Sequence, residues 1–154
     1  PDMTAGKASR RAIADRLEIV VRLLDQIRAL PLADRDLFFS DARNAAAAES
    51  CLWRSLEALL DLGRHILAKG YGVGVSEYKG IADELRRCEV LSADDAALLR
   101  ILAGYRNRLV HFYHEVASEE LFTLCSEKLG DLARIRDAYL GWAGAHPEKL
   151  DETL

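Results

Sequence analysis

The chain is poor in proline and cysteine and lacks long apolar runs and any excess of positive charge, and each shortage excludes something. Three prolines in 154 residues, with no alternating β-branched segments to favour strands, make an all-α bundle the expectation. Cys51, Cys88 and Cys125 are odd in number, widely separated and without a CxxC pair. They fit buried free thiols in a reducing compartment better than a disulfide framework. Apolar runs are broken by Arg, Asp or Glu every few residues, well short of the ~20 that a membrane span needs. Ala5 to Arg16 has no apolar h-region, so no secretory signal is read there, and a cytoplasmic protein without a membrane partner is expected. A net charge of -4 excludes a whole-surface polyanion binder, so any nucleic-acid contact needs a local patch. The cluster Gly70-Tyr71-Gly72-Val73-Gly74 has no strand before it and no GK[ST] after it, and reads as a helix end.

What is present points to one domain, because the length suits a single core and half of the residues are hydrophobic. Residues 1–8 are expected to be a disordered N-terminus, with Pro1 and Asp2 extraneous to the native chain. Residues 9–145 form the helical domain, and 146–154 a frayed tail. A first helix is predicted from Lys7–Arg11 to about Leu30, burying Ile13, Leu17, Val20, Leu24 and Ile27 while Asp15, Glu18, Arg22 and Asp25 face water. Pro31 ends it. One long helix follows from Asp34–Asp36 to about Lys69, with a heptad-like seam that includes Leu52, Leu56, Leu59 and Ile66, and with Gly63 permitting a close helix approach. Ser76 is expected to cap a short helix from Tyr78 to Cys88, and Ser92 to open a near capping box for the next. A fifth helix from Ser118 carries Leu121, Cys125, Leu132, Ile135, Tyr139 and Trp142 on its core face. The architecture expected is an up-and-down bundle of four to five helices.

Polar and titratable groups concentrate in the fourth helix, at Tyr105-Arg106-Asn107-Arg108-Leu109-Val110-His111-Phe112-Tyr113-His114. At 100° per residue, Tyr105, Leu109 and Phe112 continue the core face set by Leu98 and Leu102. Asn107, His111 and His114 share a polar face on which Gly104 removes side-chain bulk. Arg106 and Tyr113 lie along its edge, while Arg108 turns toward solvent or a partner. A histidine can move a proton near neutral pH, and an arginine can hold a phosphate or a developing negative charge. With no serine or cysteine nucleophile in the stretch, the set suits RNA cleavage in which the substrate's own 2′-hydroxyl attacks. Glu57 and Asp61, four apart, read as helix solvation plus an Asp61 to Arg64 contact rather than a metal pair. His111 and His114 lack a third ligand nearby for zinc, and His65 and His146 stand alone.

The run Arg106 to Tyr113 resembles the R-N-x-x-x-H-x-Y signature of the HepT-like branch of the HEPN superfamily, the toxin halves of type VII toxin/antitoxin pairs. Leu56 to Ile66 is similar to that family's second-helix pattern, and the resemblance spans roughly Leu17 to Tyr139. It implies a HEPN-like bundle that dimerises through the motif-bearing helix, forming a composite, metal-independent and cofactor-free ribonuclease site. It also implies Arg106 and His111 as catalytic residues, Asn107 as their support, and Tyr113 as the AMP acceptor of a cognate minimal nucleotidyltransferase antitoxin. His114 is either a second acid/base or a polar cap near the helix end. The competing reading is a non-catalytic helical partner of a nucleotidyltransferase.

Overall fold

The computed structural model describes residues 6–111 and 118–153. Among them lie seven α-helices: α1 (Arg10–Arg28), α2 (Arg35–Phe39), α3 (Ala42–Tyr71), α4 (Tyr78–Arg87), α5 (Ala93–His111), α6 (Ser118–Glu127) and α7 (Leu129–Ala145). The all-α expectation holds. Helix α3 is the spine, with α1, α4, α5, α6 and α7 all packing on it. The predicted stripe of α1 is buried in full, joined by Leu23, and the predicted core residues from Leu121 to Trp142 are likewise buried. Ser92 accepts the Asp95 N–H at 3.1 Å, the expected opening of α5.

Three boundaries differ from expectation. The long second helix is two, because polar side chains around Ser40 and Asp41 compete with helical bonding. The Ser40 hydroxyl donates to the Leu37 carbonyl at 2.7 Å and Asn44 to the Phe38 carbonyl at 3.1 Å, while Asp41 caps α3 by accepting the Arg43 N–H at 2.9 Å. The single helix expected from Ser118 restarts after Lys128, with Cys125 and Leu129 buried on either side of the break. Ser76 does not cap α4. Glu77 occupies the cap position without a side-chain bond, and the Ser76 carbonyl accepts from Arg64 at 3.3 Å instead.

Residues 8–9 and 150–151 are joined, at or beside the stretches where a disordered start and a frayed tail are expected. Residues 147–149 form a 3-10 turn and Leu150–Asp151 a short strand, β2, parallel to β1 (Ala8–Ser9). Leu150 and Ala8 are both buried. His65, to which no role was assigned, accepts the Ser9 N–H on Nε2 at 3.1 Å and so ties β1 to α3. Burial, reinforced by the charges of Arg16 and Lys69, lowers its pKa and keeps that nitrogen an acceptor. His146 stacks on Trp142 with centroids 5.5 Å apart. Cys51 and Cys125 are buried thiols and Cys88 is partly buried. Among the described residues no helix is long and apolar enough to cross a membrane.

Gly63 sits where α3, α4 and α7 converge. A Cβ there would stand 2.7 Å from the Tyr139 hydroxyl and 2.9 Å from Leu85 Cδ1, and the same buried hydroxyl donates to the Leu59 carbonyl at 3.0 Å. Gly63→Ala is therefore expected to lower unfolding stability by about 2 kcal/mol, overpacking and a displaced hydrogen bond outweighing the helix-propensity gain. Urea denaturation measures this, with Gly104→Ala as the contrast. Outside its own helix backbone no described atom lies within 4 Å of a Cβ at Gly104, so within a single copy that change should raise stability by up to about 1 kcal/mol.

Candidate functional site

Three helices build one cluster around Arg106. On α3, Glu57, Asp61 and Arg64 follow one another at spacings of four and three and so share a face. Tyr78, the first residue of α4, lies across that face, its hydroxyl donating to Asp61 Oδ1 at 2.7 Å with Glu57 Oε1 at 3.4 Å. From α5, Arg106 Nη2 donates to Glu57 Oε1 at 2.6 Å, and Nη1 to Asn107 Oδ1 at 3.3 Å. The Arg106 guanidinium also covers the Tyr78 ring, 4.3 Å from its centroid, and that of Arg64 lies 4.7 Å from the same centroid.

The electrostatics follow from burial. The Arg106 side chain is only 14% exposed and that of Glu57 28%, so both charges have lost much of their hydration and depend on each other. Tyr78 is pushed up to about 12, first by burial, then by its hydrogen bond to Asp61 and by the Asp61 and Glu57 charges, with Arg106 opposing. At neutral pH it is thus a neutral donor to a carboxylate and an aromatic face for two cations.

A cavity of about 490 Å³ opens beside Arg106 and Asn107, walled by Arg64, Ser76, Glu77, Tyr78 and Lys79. The structure brings Arg106 and Asn107 together at its edge. His111 ends α5 on the same helix, its side chain outside the description, and Tyr113 and His114 lie outside the described residues. Arg108 makes an intramolecular ion pair with Glu120 of α6.

Sequence reasoning missed Glu57 and Tyr78. The expected Asp61–Arg64 contact is present at 3.6 Å, but Glu57 is a partner for the motif arginine and not merely a solvated residue. Its spacing from Asp61 and Arg64 was the available signal; nothing local marks Tyr78, which reaches the site only through the turn between α3 and α4.

Tyr78 gives the cluster a testable titration. A phenol whose pKa is higher folded than unfolded stabilises the fold below its unfolded value, and that stability is lost as pH rises through the folded value. The denaturation midpoint should fall between about pH 10 and the Tyr78 value of about 12. In Tyr78→Phe the fall should be shallower without vanishing, because burial also raises the pKa of Tyr139. Urea melts across that range measure both slopes.

Comparison with known proteins gives the family. Residues 8–138 match the family model described as ribonuclease HepT-like. The tRNA nuclease HepT of Aphanizomenon flos-aquae (strain 2012/KM1/D3) is 28% identical over 115 residues, covering 74% of this chain and 78% of that protein. Among solved structures, the tri-AMPylated Shewanella oneidensis HEPN toxin in complex with MNT antitoxin is similar at 19% identity, with a TM-score of 0.75, covering 84% of this chain and 97% of that one. YutE of Bacillus subtilis, a cytosolic protein of unknown function, is similar at 20% identity, with a TM-score of 0.75 and coverages of 90% and 93%. At such identities the structures bear on the fold alone, while the family match spans most of the sequence. The chain, with its motif arginine anchored against α3 and α4, belongs to the ribonuclease HepT-like family.

Proposed function

We propose that this chain is the toxin of a toxin/antitoxin pair, a metal-independent endoribonuclease whose site is shared by two copies of the chain. The observation that carries the reading is the placement of Arg106, held by Glu57 and Tyr78 at the edge of a cavity on the helix that also bears Asn107 and His111 of the R-N-x-x-x-H-x-Y signature. The RNA 2′-hydroxyl attacks the adjacent phosphorus, the bond to the departing 5′-oxygen breaks, and a 2′,3′-cyclic phosphate and a 5′-hydroxyl result. His111 moves the proton that the 2′-hydroxyl loses or the 5′-oxygen gains. Arg106 stabilises the charge that builds on the non-bridging oxygens, its forked guanidinium suited to a carboxylate on one edge and a phosphate on another. Asn107 steadies Arg106 from the polar face, and His114 is a secondary acid/base or a helix-end cap.

The dimer reading is supported by α5 itself. Ile101, 55% exposed, and Gly104, with open space where a Cβ would be, lie one turn apart and leave a face for a second copy to approach. Regulation follows the Shewanella relative, an AMPylated HEPN toxin bound to an MNT antitoxin. A cognate minimal nucleotidyltransferase adds AMP to Tyr113, bringing bulk and negative charge to the surface that RNA must reach.

His111→Ala and Arg106→Ala should each lower RNA cleavage in EDTA about a hundredfold or more with helical circular dichroism kept at assay temperature, the melting midpoint falling in Arg106→Ala because the Glu57 carboxylate loses its partner. Full cleavage by both variants would overturn the catalytic assignment. An inactive native chain that still binds a nucleotidyltransferase would leave the non-catalytic partner reading. Glu57→Gln, which keeps the shape but weakens the hold on Arg106, should lower kcat/KM about ten- to a hundredfold, mainly through kcat.

A further inference from the structure

We infer that the cavity beside Arg106 is a subsite for the RNA backbone next to the scissile linkage, where Arg64 and Lys79 hold a flanking phosphate. The inference rests on the ribonuclease reading above and extends it to substrate binding.

Three cations from three helices meet at this cavity: Arg64 from α3, Lys79 from α4 and Arg106 from α5. In a chain of net charge -4, this gathers cationic side chains at one cavity, with Glu57 and Asp61 paired to Arg106 and Arg64 on its inner side and Lys79 left at the opening. The neighbouring carboxylates are already engaged, Glu57 with Arg106 at 2.6 Å and Asp61 with the Tyr78 hydroxyl at 2.7 Å and, more loosely, with Arg64 at 3.6 Å, so Arg64 would share its guanidinium between Asp61, the Ser76 carbonyl and a phosphate. Among the described residues of the wall, Glu77 is the one acid. Lys79 is exposed and has no carboxylate partner among the described residues. A volume of about 490 Å³ falls within the range of small-ligand sites and can admit a nucleotide unit.

The chemistry favours phosphate over base. Among the described residues of the wall, Tyr78 is the aromatic one, and its ring is already engaged by two guanidiniums at 4.3 and 4.7 Å, so it offers a base little vacant surface to stack on. A guanidinium and an ammonium instead give charge-assisted hydrogen bonds to phosphate oxygens. Such contacts position a strand and carry no sequence information. The subsite therefore supplies affinity and register, leaving any sequence preference to other surfaces.

Steady-state cleavage of a single-stranded RNA of about ten nucleotides, using the full chain, tests this. Arg64→Gln should raise KM about tenfold and Lys79→Gln about threefold, with a smaller effect on kcat, while Glu77→Gln should lower KM. The dependence of log KM on log salt should become shallower by about 0.7 for each cation–phosphate interaction removed. The KM penalties should shrink on a dinucleotide, which has no flanking phosphate. Lys79 and Glu77 are surface residues, so misfolding does not account for opposite shifts in KM. Unchanged KM and salt slope in Lys79→Gln and Glu77→Gln, or equal penalties on the dinucleotide, would overturn the subsite while leaving the ribonuclease reading intact. If the native chain cleaves no RNA, the ribonuclease reading fails and fluorescence anisotropy with the same RNA judges the subsite. Weaker binding by Lys79→Gln sustains it there, and unchanged binding overturns it.

Discussion

The ion pair between Arg106 and Glu57 is the constraint on which the site depends. It crosses from α5 to α3 with both side chains largely withdrawn from water, so each charge has given up hydration that its partner, Tyr78 and the Asn107 amide help to replace. Such a pair contributes little net stability, because desolvation offsets the Coulomb attraction, but removing either member is costly. What it supplies is orientation. On the proposed reading, a guanidinium fixed by a carboxylate, an aromatic face and a neighbouring amide has little freedom left to lose when a substrate arrives.

That geometry is inherited from the core. Helix α3 buries Leu56, Leu59, Leu60, Gly63 and Ile66, and the same turns place Glu57, Asp61 and Arg64 along the adjoining face. The register of the leucines therefore sets the register of the carboxylates. Gly63 lets α4 and α7 come close enough that Tyr78, at the start of α4, overlies Asp61. The site and the close helix approach at Gly63 are thus parts of one arrangement.

Periodicity made most of this fold legible. The stripes of α1 and of residues 121–142 were plain from the spacing of Leu, Ile and aromatic residues, because burial of one helix face leaves a repeat that needs no knowledge of the neighbour. The break at Ser40–Asp41 was harder to see, since it rests on side-chain to backbone bonds that compete with an otherwise helical pattern. The pairing of β1 with β2 joins residues 8–9 to 150–151 and leaves no local repeat. Within the site, Arg106 and Asn107 stood out as polar residues beside an apolar stripe. Glu57 and Tyr78 did not, because their meaning lies in which helix faces which, and no single helix records that.

The two faces of α5 divide the work. One is satisfied within the chain, where Leu102 and Leu109 enter the core and Arg106 is held by α3 and α4. The other carries Ile101 and Gly104, an exposed apolar side chain one turn from a residue with none. On the proposed reading, the first face fixes the arginine before any partner arrives, and the second brings a partner's motif alongside. Assembly then has only to dock two helices whose charged groups are already oriented. The desolvation of Arg106 has been met by Glu57 within each copy, so the cost of burying that charge does not fall on the dimer interface.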